Sequence, residues 1–370
     1  MNRIRVCHLT SVHKHNDNRI FHKECKTLLA NGYEVFLIAP GVEDQIIDGV
    51  QVVGVPKHTN RFKRVLLTAC LHVFKKAKRV KADVYHFHDT ELIPVGLMLR
   101  MLGRKVIIDV HENSAGAIMS RAYVKSMFVK RVLSTGIKIL EKGSSRFFSA
   151  IVTARPDISE LFQKHHPFTL RNFPVLPVYE EIENVPVPKP KKAIIYVGGM
   201  TEIRGVRELI TAFEHIEDAE LWLLGFFGTE SFEKECKALA GWKNVNFLGQ
   251  VEATEIFGYI KKADIGIVTF LPAPNHITTL ATKPFEYMAC GLPMVMSHFP
   301  YWKNFFGDSS LYVDPSKPNE IVDAVHQLLG DPALMERMHK KNLELTRNEY
   351  NWEKESKILL EAYKHALNKK

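Results

Sequence analysis

Short apolar runs alternate with amphipathic runs along the first half of the chain. Arg5–Leu9 predicts a buried strand, residues 20–30 carry apolar side chains at helical spacing, and residues 33–40 predict the next strand. This strand–helix–strand order is typical of parallel sheets. Further strands are predicted at residues 49–56, 83–89, 105–110 and 150–153.

The second half repeats the alternation after a proline-dense stretch without periodicity. Strands are predicted at residues 193–197, 220–225, 245–249, 265–270, 294–296 and 311–313, with helices between them. We therefore predict an α/β protein of two doubly wound parallel-sheet domains. The predicted parts are a first domain at residues 1–175, a linker at 176–192, a second domain at 193–346 and a C-terminal segment at 347–370. The amphipathic helix at 352–367 is expected to pack back on the first domain.

Two stretches of the first half combine helical apolar spacing with many basic residues. They are residues 61–81, where Phe62, Leu66, Ala69 and Val73 recur, and residues 120–142. A core helix with a solvated face and a helix that contacts a membrane surface both fit this pattern.

Composition adds a charge asymmetry. The chain has 370 residues, enough for two cores, and a net charge of +9. Residues 1–175 carry 28 Lys+Arg and 14 Asp+Glu, whereas the remainder carries 22 and 27. A basic first half indicates an anionic partner, either nucleic acid or a membrane leaflet, or a face that serves only solubility. Five scattered cysteines without metal spacing predict reduced thiols in the cytosol, and no apolar run or signal sequence predicts a membrane span or export.

One candidate site lies in the second half. Lys283 and Glu286 stand near the start of a predicted short helix that ends at Gly291. Amides and a lysine suit phosphate, and a carboxylate can accept hydrogen bonds from both ribose hydroxyls. The alternative is a capped core helix with a surface lysine. The turn from Gly198 to Gly205, which contains Arg204, is a second plausible phosphate cradle.

A second candidate site lies in the first half, where two predicted strands end in polar residues. These ends are His88–Asp89 and His111–Glu112, and the loop at residues 10–19 follows another strand at the same edge. A single histidine at a strand end is commonly bonded to backbone. Because carboxyl ends of parallel strands meet at one edge, however, the convergence favours a site.

Together these motifs resemble the family 4 glycosyltransferases of GT-B fold. The resemblance rests on Asp17-x-Arg19, His86-x-His88-Asp89, Asp109-Val110-His111-Glu112, Gly198-Gly199 with Arg204-Gly205, Gly249-Gln250-Val251, and residues 283–293. It implies two Rossmann-like domains facing a cleft, and transfer of a sugar from a nucleotide with retention of configuration.

The resemblance also implies roles for individual residues. Arg204 and Lys283 would bind the donor diphosphate, Glu286 the ribose, and the Gly249–Val251 turn the base, while His111 would act near the reacting centre. Further donor-side residues are Gly198, Gly199, Thr278, Pro284 and Phe285, and acceptor-side residues are His13, Asp17, Arg19, His88, Asp89 and Glu112. Two positions depart from the family pattern: Thr278 stands where a glutamate is common, and Gly199 where an arginine is frequent.

The sequence thus predicts a cytoplasmic retaining glycosyltransferase of bacterial surface-polysaccharide synthesis, peripheral at the inner face of the cell membrane. Its expected partners are a UDP-, GDP- or dTDP-sugar, a polyprenyl-linked or other saccharide acceptor and the anionic membrane surface. No cofactor, no metal and no nucleic acid are expected, since the chain has no Asp-x-Asp and no nucleic-acid motif. The alternatives are a nucleotide-sugar 2-epimerase of GT-B-like fold and a basic nucleic-acid-binding protein.

Overall fold

The computed structural model describes residues 3–111, 116, 126–176, 178 and 188–369. The chain forms two compact units. The first contains Met1–Asn172 together with Trp352–Lys370, and the second contains Phe173–Asn351. The C-terminal helix Trp352–Asn368 thus belongs to the first unit, where it contacts strands of the sheet. Most of the expected linker, residues 177 and 179–187, lies outside the described residues.

The first unit is built on an eight-stranded sheet. Its strands are β1 Arg5–Leu9, β2 Glu34–Pro40, β3 Gln45–Ile47, β4 Val50–Val55, β5 Val84–Phe87, β6 Lys105–Val110, β7 Ala150–Thr153 and β8 Phe168–Thr169. They lie in the order β3-β4-β2-β1-β5-β6-β7-β8. Only β3 runs antiparallel to its neighbour, and this short edge strand was not predicted.

The two faces of this sheet differ in chemistry. Because side chains alternate along a strand, Cys7, Leu9, Tyr85 and Phe87 point into one apolar core. The intervening positions of β1 and β5 carry His8 and His86, which are paired in register and fully buried. The second face therefore carries buried histidines among apolar side chains such as Val6 and Val84.

Helices cover both faces of the first sheet. The α-helices are Lys26–Ala30, Arg61–Lys63, Phe74–Val80, Ile93–Met101, Met127–Ser145, Pro156–Leu161 and Trp352–Asn368, π-helical turns span Ile20–Cys25 and Arg64–Val73, and 3-10 turns span Thr90–Leu92 and Gln163–His165.

Residues 61–81 are only partly buried. Ala69 and Val73 are buried, as a core helix requires, but Phe62 and Leu66 are exposed by 73% and 49%. The π-helical turn Arg64–Val73 explains the difference, since its wider repeat moves side chains out of the phase that a 3.6-residue period assumes.

The second unit is built on a six-stranded, wholly parallel sheet. Its strands are β9 Lys192–Val197, β10 Ala219–Leu224, β11 Val245–Gly249, β12 Ile265–Val268, β13 Met294–Ser297 and β14 Ser310–Val313. Their order is β11-β10-β9-β12-β13-β14. Apolar clusters pack on both faces, with Tyr196, Leu221 and Ile267 in one and Ile195, Trp222 and Tyr287 in the other. The sheet order therefore reverses at β9, as expected of a doubly wound fold.

The second unit's helices surround this sheet. The α-helices are Val206–Ala212, Glu230–Lys237, Ala253–Lys262, Pro274–Ile277, Lys283–Ala289, Pro300–Phe306, Pro318–Gly330 and Pro332–Asn348, and the 3-10 turns are Glu202–Arg204, Ala240–Asn244 and Gly307–Ser309. The short helices Pro274–Ile277 and Pro300–Phe306 were not predicted. The predicted α/β class with two parallel-dominated sheets is confirmed.

Candidate active site

In the first unit, Asp89 organises the loop that follows β1. Its Oδ2 accepts hydrogen bonds from the Thr10 hydroxyl at 2.8 Å and the Ser11 amide at 2.7 Å. Its Oδ1 lies 3.4 Å from His13 Nε2. Asp89 therefore fixes the start of the loop and places His13 at the carboxyl edge of the sheet.

Asp17 lies near the end of the same loop, where its carboxylate accepts hydrogen bonds from backbone amides. Its Oδ1 accepts from the amides of Arg19 and Ile20, each at 2.9 Å, and its Oδ2 lies 3.2 Å from His13 Nδ1. Burial would raise the pKa of Asp17, but His13 and these amides hold it well below its usual range. Asp17 is therefore an ionised anchor for the helical segment that begins at Ile20.

Arg19 and Asp109 form a buried bidentate pair. Arg19 Nε and Nη2 donate to the two Asp109 oxygens at 3.0 and 3.1 Å, and Nη1 donates to the Leu170 carbonyl at 2.8 Å. Burial alone would raise the pKa of Asp109. Arg19 and the neighbouring histidines nevertheless hold that pKa well below its usual range.

His111 uses this carboxylate as its support. Its Nε2 lies 2.9 Å from Asp109 Oδ2, and since Asp109 is ionised, Nε2 carries the hydrogen and donates it. The Nδ1 atom is then a free acceptor, without a hydrogen-bond partner among the described residues. The imidazole is 19% exposed, so this acceptor is within reach of a ligand.

Below His111 lies a buried cluster of three histidines, one glutamate and one tyrosine: His8, His86, His88, Glu24 and Tyr363. His8 Nδ1 lies 2.9 Å from His88 Nε2. The Tyr363 hydroxyl lies 3.0 Å from His86 Nδ1 and 3.1 Å from His8 Nε2. The ring nitrogens are thereby joined across three elements, β1, β5 and the C-terminal helix.

Burial controls the charge of this cluster. It lowers the pKa of His88 to about 4 and those of His8 and His86 well below the usual range. Burial, and next the charge of Asp109, raise the pKa of Glu24. Arg19 Nε is 3.0 Å from Glu24 Oε1, but its hydrogen points at Asp109, and neither Glu24 oxygen has a hydrogen-bond partner within the described part of the chain.

In the second unit, the turn after β9 brings Gly198, Gly199 and Arg204 together. Arg204 Nη1 donates to the Gly199 carbonyl at 3.2 Å, and its guanidinium lies 5.5 Å from the centre of the Phe270 ring. A Cβ on Gly198, whose φ is +149°, would meet Arg204 Nη1 at 3.0 Å. No carboxylate pairs with Arg204 among the residues described, and its hydrogen bond goes to a neutral carbonyl.

Lys283 and Glu286 face each other on the helix Lys283–Ala289. Lys283 Nζ lies 2.6 Å from Glu286 Oε2, and the side chains are 25% and 12% exposed. The helix is held by the buried side chains of Phe285, Tyr287 and Met288. Lys283 and Glu286 are therefore the partly exposed side chains of a helix that is otherwise largely buried.

The remaining donor-side residues have mainly structural contacts. Pro284 occupies the first turn of that helix and Phe285 packs on Phe173. Gly249 has a φ of +68°, and its carbonyl accepts from the Gly225 amide at 2.8 Å. Val251 follows, half-buried. The Thr278 hydroxyl donates to the Pro274 carbonyl at 2.8 Å.

The structure thus groups the candidate residues within each unit. In the first unit it connects His13, Asp17, Arg19, His88, Asp89 and His111 through shared carboxylates. Glu112 lies outside the described residues. The sequence interpretation did not assign roles to His8, Glu24, His86, Asp109 or Tyr363. The signal for the histidines was present, because β1 and β5 place polar residues at alternate positions of otherwise apolar strands.

Two family models match the chain and define its class. The family described as Glycosyltransferase Family 4 matches residues 18–177, and the one described as Glycosyl transferases group 1 matches residues 191–331. The chain is therefore a glycosyltransferase of the family 4 type with the GT-B fold.

A curated relative is the lipopolysaccharide core biosynthesis glycosyltransferase LpsD of Rhizobium meliloti, 25% identical over 179 residues. That match covers 48% of this chain and 49% of the relative, so the chain spans about half the length of the curated relative it matches.

Solved structures share the fold over nearly the whole chain. Sucrose-phosphate synthase of Thermosynechococcus elongatus has a TM-score of 0.75 at 16% identity and covers 98% of both chains. Anabaena HepE in complex with UDP has a TM-score of 0.67 at 12% identity, covering 98% of this chain and 100% of HepE. A glycosyltransferase from Rickettsia africae has a TM-score of 0.70 at 14% identity over the whole of both chains. The predicted fold and family are both confirmed.

Proposed function

We propose that this protein is a retaining glycosyltransferase that moves a sugar from a nucleoside diphosphate sugar to a saccharide or lipid-linked acceptor in bacterial surface-polysaccharide synthesis. The observation that carries the proposal is the partly exposed pair of Lys283 and Glu286, together with a turn of the same unit that holds Arg204, which has no carboxylate partner among the described residues. The similarity to LpsD and to HepE, which was solved with UDP, supports the same assignment.

The donor end follows from charge and hydrogen bonding. Arg204 and Lys283 supply fixed positive charge for a diphosphate leaving group, and preorganised charge of this kind provides much of the rate enhancement in many group-transfer enzymes. Glu286 accepts hydrogen bonds from the ribose hydroxyls when Lys283 turns to the phosphates. Thr278, in place of the common glutamate, would offer a neutral hydroxyl toward the sugar.

The first unit supplies the residues that would contact the transferred sugar. Asp109 fixes His111 in the tautomer whose Nδ1 is an acceptor, so His111 can accept a hydrogen bond from a hydroxyl of the transferred sugar. His13, held by Asp17 and Asp89, lies beside it with the two ring centres 5.5 Å apart. This arrangement orients hydroxyl groups near the reacting centre, a contribution made through positioning.

We further propose that the protein works in the cytoplasm, peripherally bound at the inner face of the membrane. Within the described residues no helix has both the length and the apolarity to cross a membrane. The helix Met127–Ser145 nevertheless exposes Phe128, Val132 and Ile139 by 55–75%, next to exposed Arg131 and Lys138. An apolar face flanked by basic residues is the signature of an interfacial helix attracted to anionic lipid.

The exposed side chains of residues 61–81 extend this surface. Both this segment and Met127–Ser145 pack against the helix Ile93–Met101, and Met101 itself is 79% exposed. A lipid-linked acceptor would be presented at such a surface.

The direct test is a donor screen followed by product analysis. Thermal-shift and calorimetric titrations with UDP-, GDP- and dTDP-sugars should identify one donor, and the isolated product of that donor with membrane-extracted acceptor should keep the anomeric configuration. No heat with any of these donors would count decisively against the proposal. Turnover of the donor to its 2-epimer without acceptor would establish an epimerase instead.

A further inference from the structure

The buried cluster below His111 has the arrangement of a metal site. Three of its atoms, Glu24 Oε2, His8 Nδ1 and His88 Nε2, are separated by 3.8, 3.9 and 2.9 Å. Three atoms at these separations share one point about 2.1 Å from each, which matches Zn–N and Zn–O bond lengths. The point lies inside the triangle that the atoms form.

A fourth ligand stands beside these three. His86 Nδ1 lies 3.7 Å from the same Glu24 oxygen and 3.0 Å from the Tyr363 hydroxyl, a contact that it would give up to bind the ion. All four side chains are fully or almost fully buried. Three imidazole nitrogens and one carboxylate oxygen form a donor set that suits zinc and other divalent transition metals. A hard ion such as Mg²⁺, which prefers oxygen ligands, fits it poorly.

Two of the proposed ligands, His8 and His88, have hydrogen-bonding groups near their second ring nitrogen. His88 Nδ1 lies 3.4 Å from Asp109 Oδ2, and His8 Nε2 lies 3.1 Å from the Tyr363 hydroxyl. Metal-bound histidines commonly donate their second N–H to such a carboxylate or oxygen, which fixes ring orientation. His8 and His88 thus each have an oxygen atom of another residue near the ring nitrogen that would not bind the metal.

Hydrogen bonding alone leaves Glu24 unexplained. The ring–ring contact between His8 and His88 and the bridge through Tyr363 satisfy most of the ring nitrogens. Neither Glu24 oxygen nor His86 Nε2 has a hydrogen-bond partner among the described residues, although all three atoms are buried. Arg19 donates its hydrogen bonds to Asp109 but lies 3.0 Å from Glu24 Oε1, so the oxygen left for a further cation is Oε2, which faces the three histidines.

We propose that His8, Glu24, His86 and His88 bind one divalent transition metal ion, with Zn²⁺ the ion that fits best, inside the first unit. The ion would join β1, β5 and the helical segment after the first loop, and would hold His88 and Asp109 in place behind His111. The site is separate from the donor diphosphate, where the sequence predicts no metal, and it does not depend on the proposed sugar transfer.

The experiment measures metal content and spectrum in the full-length chain. Protein purified from zinc-supplemented cells is gel-filtered and analysed by mass spectrometry for metal, and Co²⁺ is then introduced as an optical probe after unfolding and refolding. We expect one zinc per chain, and visible Co²⁺ bands much stronger than those of hydrated, six-coordinate Co²⁺. Protein without stoichiometric metal that also gives only the faint spectrum of hydrated Co²⁺ would overturn the proposal.

Variants separate the buried site from surface histidines. Glu24→Gln keeps the size of the side chain but removes its charge, and it should lose the bound zinc and the rise in Tm that zinc produces. The control is His22→Gln, an exposed histidine two residues away, which should keep both. Equal zinc content in Glu24→Gln, or loss of zinc in His22→Gln, would refute the assignment. Should Glu24→Gln fail to fold, the Co²⁺ spectrum of the unaltered chain still decides.

Discussion

Replacing Glu286 by alanine should weaken donor binding while leaving the protein folded. The buried side of its helix is formed by Pro284, Phe285, Tyr287 and Met288, whereas Glu286 stays partly exposed. The contact that is lost is the 2.6 Å pair with Lys283, and partly exposed pairs of this kind contribute only about 0–1 kcal/mol. Tm should therefore change little.

The affinity should change far more than the stability. Two hydrogen bonds from ribose hydroxyls to a carboxylate contribute about 1.5–3 kcal/mol each. At the lower end they total about 3 kcal/mol, from which up to about 1 kcal/mol is subtracted for the contact with Lys283 that they replace. The remaining ~2 kcal/mol corresponds to a roughly 30-fold rise in Kd for the nucleoside diphosphate.

A ligand change isolates the hydroxyl contribution. Calorimetry should compare the preferred ribonucleoside diphosphate with its 2′-deoxy form on both proteins. If Glu286 binds the 2′-hydroxyl, removing that hydroxyl should cost about tenfold in the unaltered protein and almost nothing in Glu286→Ala.

The matched control is Glu233→Ala, which breaks another Glu–Lys pair, at 2.7 Å to Lys237, on a different helix of the same unit. An unchanged Kd in Glu286→Ala would refute the ribose assignment, and an unfolded variant would show that Glu286 serves the core instead.

Three further predictions follow from the geometry. Arg204→Ala should lose most of the transfer rate, while the unaltered enzyme keeps its rate when chelator is added with the substrates; rescue of a chelated enzyme by Mg²⁺ or Mn²⁺ would contradict this. Charge reversal at Arg131 and Lys138 should abolish salt-sensitive sedimentation with anionic vesicles, whereas reversal at exposed Lys340 in the second unit should not; equal binding to neutral vesicles would remove the electrostatic argument. Burial opposes protonation of His13, but Asp17 and Asp89 raise its pKa overall. The stabilisation by its positive charge is therefore complete below about pH 6.5 and is lost as the pH rises through the raised pKa. The difference in Tm between the unaltered protein and His13→Gln should decrease over the same pH range.

Most strands of both sheets could be predicted from the sequence, because segments with apolar residues at helical spacing separate them. Strands such as β9 and β13 are short apolar runs bounded by glycine or proline, and these signals are local. The antiparallel edge strand Gln45–Ile47 has no such signal, since two of its three residues are exposed. The π-helical turn Arg64–Val73 likewise has no signal in an apolar period, so the sequence could not predict how the preceding turn with Phe62 faces relative to the buried residues that follow.

The candidate residues of the second unit were predictable because each pair lies close in sequence. Arg204 is five residues from the Gly199 carbonyl that it contacts, and Glu286 is three residues from Lys283. The contacts of the first unit are of another kind. Arg19 meets Asp109 across 90 residues, and Tyr363 meets His8 across 355, so no local pattern could join them.

Glu24 shows most clearly why the buried cluster escaped prediction. In an amphipathic segment its carboxylate, and the ammonium of Lys23, are expected on the solvated side, yet both residues are almost completely buried. The elements that close over this segment come from far along the chain: Trp352 Nε1 donates to Thr27 at 2.8 Å, and Lys23 Nζ donates to Asn172 Oδ1 at 2.6 Å. A buried carboxylate is costly unless it is compensated. A fold that buries Glu24 is therefore stable only if that cost is offset, whether by Arg19, by protonation of the carboxyl group, whose pKa is raised, or by an ion among the histidines.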